Sequence, residues 1–130
     1  MAAEAITFAS AEALVRDYLD SVMTEPVVRV IPSPRPATFV RVMLTGTTRR
    51  TLHLADARVT IECWAPSAAE AEALSREVYG RMSAMDLTDG TYVPLGPAGW
   101  AGGPYADVDP DSGTARYTMT AIVRQPAIVL

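Results

Sequence analysis

The sequence predicts an α+β domain of two layers, a mostly antiparallel sheet with two helices packed on one face, and three observations lead there. Two segments carry apolar residues at helical spacing behind capping residues, two others alternate apolar and polar residues with a period of two, and turn-forming clusters separate them. The 130 residues suit a single domain, 1–130, able to bury roughly two thirds of the unfolded surface. With 49% hydrophobic and 20% charged residues, the chain falls in the globular range rather than the disordered one.

The first helix is predicted to begin after Ser10, a good N-cap, and to run to about Met23. Ala11, Leu14, Tyr18 and Val22 form its apolar stripe, with Glu12 and Arg16 on the other face. Pro26 precedes an extended "VVRVI" (27–31), and "PSPRP" (32–36) is too rich in proline for a helix or a central strand. The β-branched "TFVRVMLT" (38–45) predicts a strand, and "GTTRRT" (46–51) the end of a hairpin with Arg49 and Arg50 near its tip. In the next strand Val59, Ile61 and Cys63 alternate with Arg58, Thr60 and Glu62, so one face is apolar and the other polar up to Trp64.

At Ala65 and Pro66 the period changes from two to about 3.6. Pro66 ends the strand, and Ser67 with Glu70 three residues on is a capping-box pattern opening the second helix. Ala71, Leu74, Val78, Tyr79, Met82 and Met85 form its stripe, while Glu72 with Arg76 and Glu77 with Arg81 point outward. Each outward pair stabilises by a few tenths of a kcal/mol, against ~1.5 to 3 kcal/mol per large buried side chain, so the stripe decides how the helix docks. Residues 86–114 hold Gly90, five further glycines and four prolines, with a short strand expected at Thr91 to Leu95. "DPDSG" (109–113) is a turn leading into the last strand, "ARYTMTAIVRQ", where Tyr117, Met119, Ala121 and Val123 face one way. Pro126 closes it, leaving the apolar tail "AIVL".

Composition excludes several kinds of function. The net charge of −4 opposes a sequence-independent grip on nucleic acid, which needs an excess of basic residues. A single cysteine forms no internal disulfide, and one histidine beside one cysteine gives no zinc site. No apolar run reaches the ~18 residues of a membrane span, and the first residues lack a secretion signal, so an intracellular product is expected. His53 has only Asp56 as a nearby acid and reads as a half-exposed strand residue; Cys63, on an apolar face, reads as a small hydrophobe. "DVDPDSG" (107–113) begins like a calcium loop, yet has Ser112 where glycine is required and Thr118 where the last glutamate belongs, so a turn is expected. No phosphate-binding loop, serine elbow or carboxylate pair appears, and neither enzymatic activity nor a cofactor is expected.

What remains are surface features. Trp100 and Tyr105, in a stretch rich in glycine, are either interface anchors or caps folded back on the core. The tail, Ala127 with Ile128, Val129 and Leu130, either tucks in or docks on a neighbour. Arg49 and Arg50 are either a solvated turn or a reach toward an acidic partner.

"HLADARVTIECWAPSAAEAEALSREVYGRM", followed after the glycine- and proline-rich stretch by "DPDSGTARYTMTAIVR", resembles the tail terminator proteins of long-tailed, siphovirus-type bacteriophages, especially those of actinobacterial hosts. The resemblance extends over most of the chain and includes "PSPRPATFVRVMLTGTTRR"; its most specific parts are "TIECWAPSAAEAEAL" and "PDSGTARY". It implies an α+β subunit of a homohexameric ring at the head-proximal end of the tail tube. Such a ring stops tube polymerisation and offers a joining surface to the head-tail connector or head-closure protein. Its partners are then further copies of itself, the tail tube protein and the connector, with DNA only as passing cargo and no membrane; its place is the virion's head-tail junction, after assembly in the host cytoplasm. The resemblance carries no catalytic residues. The rival it leaves open is another connector ring, a tail-completion or head-closure protein; a small α+β enzyme or ligand-binding domain is the alternative of a different class. Ring closure by a head-to-tail contact points to Arg49, Arg50, Trp100, Tyr105, Ile128, Val129 and Leu130 as interface candidates. Trp100→Ala is accordingly expected to weaken assembly with little loss of monomer stability.

Overall fold

In a computed structural model describing residues 4–130, the chain forms the expected α+β fold. The elements are β1 (Ile6–Thr7), α1 (Ala11–Val22), β2 (Val27–Val28), β3 (Phe39–Thr51), β4 (Leu54–Ala65), α2 (Ala68–Ser83), a 3-10 turn (Gly96–Gly99), β5 (Trp100–Ala106), β6 (Ala115–Pro126) and β7 (Ile128–Val129). The main sheet has the order β2-β3-β4-β6-β5, antiparallel except for the short β2-β3 pair. A two-stranded ribbon, β1 with β7, joins the two ends of the chain.

Both helices cover one face of the sheet because both present apolar stripes to it. Ser10 accepts a hydrogen bond from the Ala13 amide, and Ser67 from the Glu70 amide, so each helix begins at its expected cap. Val40, Val42, Val59, Ile61, Cys63, Met119, Ala121 and Val123 point from the strands into the core, meeting Val15, Leu19, Leu74, Val78 and Met82 from the helices.

Several expectations are corrected. The centre of the α1 stripe is Ala11, Val15 and Leu19, with Leu14, Tyr18 and Val22 only partly covered. A stripe at least 100° wide admits both sets, which share the same four-residue spacing; Val15 and Leu19 lie in the core while Leu14, Tyr18 and Val22 flank it. Of "VVRVI", only Val27 and Val28 pair, in parallel with Val40 and Arg41, and Val30 is exposed. β3 does not end at Gly46: the strand passes through it with a shift of register and turns at Leu52 and His53. An unpaired residue absorbed as a bulge lets the pairing continue with a local twist. His53 therefore occupies the exposed turn instead of a strand. No strand forms at 91–95; Tyr92 makes only isolated bridges to Asp86 and Arg124.

The glycine-rich "WAGGPYA" forms β5 instead, an edge strand on β6 with two register shifts. Proline is tolerated there because an edge strand leaves one side of its backbone unpaired. Gly103 has a positive φ, and a Cβ at this site would collide with the Thr118 carbonyl and the Met119 backbone, so glycine is what permits β5 to approach β6.

Candidate functional site

The three expected contact regions lie in different settings. At the β3-β4 hairpin, both arginines already have internal partners. The Arg49 guanidinium lies over the Phe8 ring, 5.5 Å from its centroid, and Arg50 Nη1 is 3.0 Å from Asp56 Oδ2. The hairpin is therefore more braced than a freely solvated tip. Trp100 is half-buried, packs against the core and stacks on Tyr79 with ring centroids 4.4 Å apart, so it caps the helix layer's edge. Tyr105 stands apart from it at the far end of β5, 53% exposed. The tail neither tucks in nor hangs free. Ile128 and Val129 pair with Thr7 and Ile6, and the Leu130 amide donates to the Ala5 carbonyl, yet the three apolar side chains remain 47%, 65% and 82% exposed.

These residues lie on separate elements, the β3-β4 hairpin, β5 and the C-terminal tail. His53 sits in the β3-β4 turn and Cys63 ten residues on along β4, about 33 Å of extended chain away. Burial pushes the Cys63 thiol up, and the nearby Glu62 and Glu25 charges push it further, so the sulfur stays protonated and inert. "DPDSG" folds as the expected turn: the Gly113 amide donates to the Asp109 carbonyl, and the Ser112 amide and hydroxyl both donate to the Asp109 carboxylate. Those hydrogen bonds draw the Asp109 pKa below its ordinary value. Among the described residues, no cluster of three metal-binding side chains occurs.

The sheet face opposite the helices holds the structure that sequence reading missed. Trp64 was expected to end a polar, solvent-facing row; it is buried, stacked on Phe39 at 5.3 Å, with the guanidinium groups of Arg35 and Arg116 5.0 and 5.1 Å from its ring centroid. Glu62, read as a surface residue, is 7% exposed. It accepts from the Trp64 indole N–H and lies 3.5 Å from Arg41 and 3.4 Å from Arg116. Arg116 continues to Asp107, whose carboxylate also accepts from the Thr118 hydroxyl. Such a network lets a charged sheet face exist without unpaired buried charge.

Further along the same face, three threonines on adjacent strands link hydroxyl to hydroxyl, Thr45 to Thr60 and Thr60 to Thr120, at 3.0 Å each. Beyond them Asp56 is clasped by Arg50 and by Arg124, whose Nε is 3.0 Å away. Arg58 stands next to this group, exposed, making no ion pair among the described residues. Together with Thr48, Ala98 and Ile122 these side chains line a hollow of about 260 Å³. The signal available in sequence was the alternation itself: Asp56, Arg58, Ile122 and Arg124 occupy the non-core phase of β4 and β6, and pairing of Asp56 with Arg124 brings them together.

Compared with protein-family models and with curated proteins, the sequence matches none.

Proposed function

We propose that this chain is a structural subunit of a long-tailed phage, forming the ring that terminates the tail tube at its head-proximal end and presents the surface joined by the head. The supporting observation is the β4-α2 unit, which coincides with the most specific part of the sequence resemblance. β4 is buried along its end, Ile61 to Ala65, and passes through Pro66 and Ser67 straight into α2, whose buried residues Ala71, Leu74, Val78 and Met82 lie on the same core. A strand and helix locked this way form a stiff wedge, the kind of element that repeats around an axis without deforming. The chemistry-bearing groups are consistent with work done by surfaces: they are tied into ion pairs on an open sheet face, and the lone imidazole and thiol are held apart.

The decisive experiment is electron microscopy of particles assembled without this protein. Tails of uncontrolled excess length, detached from heads, are the expected outcome. Tails of normal length left unjoined would instead assign the chain to tail completion or head closure.

A further inference from the structure

Charge is distributed by layer in this molecule. The long strands β3, β4 and β6 carry six arginines, Arg41, Arg49, Arg50, Arg58, Arg116 and Arg124, against only Asp56 and Glu62. The helices show the opposite balance, with six carboxylates against Arg16, Arg76 and Arg81. The whole chain has a net charge of −4, so the basic sheet is a local exception and not a reflection of composition.

The excess is greatest in the open-face hollow. Asp56 serves both Arg50 and Arg124, leaving Arg58 without a carboxylate among the described residues. Three guanidinium groups thus share one acid on a surface that no helix covers. On the outer side of the helix layer, Asp17 and Asp20 are exposed on α1, and Asp17 borders a second hollow of about 470 Å³ with Asp86 and Asp89. Among the described residues Asp17 makes an ion pair only with its neighbour Arg16, at 3.1 Å between two exposed side chains, an arrangement that holds the carboxylate weakly.

We infer that the arginine-rich open face around Arg58 docks the acidic outer surface of α1 on a second copy of this chain. The two surfaces lie on opposite layers of one domain, so their association is head-to-tail, each copy giving one face and receiving the other. This rests on the ring reading above and supplies its contact. Opposite potentials guide the encounter and set the register, and because the charges are exposed the contact weakens as salt screens them.

The test is sedimentation velocity of the purified full chain at about 50 and about 500 mM salt, between which the Debye length falls severalfold. It compares wild type, Arg58→Glu, Asp17→Arg/Asp20→Arg, and the variant combining all three changes. Wild type is expected to self-associate in a salt-sensitive way. Each partial variant is expected to associate at least about tenfold more weakly, through like charges brought face to face, and the combined variant to regain most of that loss. Circular dichroism melts check folding, and Arg58→Ala, which only removes the charge, gives a smaller loss in the same direction.

Partial variants that associate like wild type overturn the inference while leaving the ring reading in place. So does a combined variant no better than either part, or an Arg58→Glu chain that loses duplex DNA binding but not self-association. A wild-type chain that stays monomeric at every concentration also overturns it, and the tail-length experiment then judges the terminator reading separately.

Discussion

Trp100 shows how a single residue's role depends on the element that holds it. Read as part of a glycine-rich loop, it was expected to be removable at little cost to the monomer. In β5 it pairs with Ala121 and stacks on Tyr79 of α2, so it fastens the edge of the sheet to the helix layer. Trp100→Ala is therefore expected to lower monomer stability by about 2 kcal/mol, the scale of one large, partly buried aromatic with a ring partner. Urea unfolding checks this, and an unchanged midpoint would return Trp100 to a pure contact role. Glu62 and Trp64 carry the same lesson. Alternation correctly placed Val59, Ile61 and Cys63 on the core face, because that face is buried by helices whose stripes are written locally. It could not show that Arg35, Arg41 and Arg116, distant in sequence, would cover the other end of the strand. Tertiary pairing of charges leaves no period to read.

Among the elements, helix α2 was legible from Ser67 to Met82 because cap, stripe and outward pairs agree, except that Tyr79 is exposed and stacks on Trp100 while Ser75 is buried. The hairpin was legible in kind and wrong in length, since Gly46 reads as a turn signal and is in fact part of a bulge. β5 was missed outright, because a strand built from two glycines and a proline has almost no intrinsic preference and exists only through its partner β6. The far half of the hairpin depends on Asp56. Burial pushes its carboxyl upward, but hydrogen bonds from Arg124 and Arg50, with their charges, outweigh this and hold its pKa below the ordinary carboxylate value. A carboxyl depressed in the folded state stabilises fully above its unfolded pKa, and that contribution is lost as pH falls through the folded value. Asp56→Asn is thus expected to melt below wild type at pH 7, with the gap closing as pH drops below about 4. Comparing melts of the two proteins across that range is the check. A gap that stays constant down to about pH 2.5 would show that ionised Asp56 contributes nothing to the hairpin.

For the molecule as a whole, the layer order followed from local patterns, whereas the meeting of the two chain ends did not. β1 and β7 are two residues each, too short to register as strands, and they pair where the end of β6 lies beside the start of the chain, the Gln125 side-chain amide donating to the Ala9 carbonyl. The ribbon lies outside the main core: none of Ile128, Val129 or Leu130 is buried, and the last main-sheet pairing, Leu54 with Pro126, precedes it. Deleting residues 128–130 should therefore leave the core intact, with the thermal midpoint within about 4 °C of wild type, the shift expected for at most ~1 kcal/mol in a domain of this size. What the deletion removes is an exposed apolar strip held in a fixed conformation, and such a strip is stabilised by burial against a neighbour. If the strip is an assembly surface, the shortened chain keeps its fold and loses incorporation into particles, measured as tail length and head attachment in particles supplied only with that chain. Normal particles would remove Ile128, Val129 and Leu130 from the contact surface and leave the charged faces of the two layers to carry assembly.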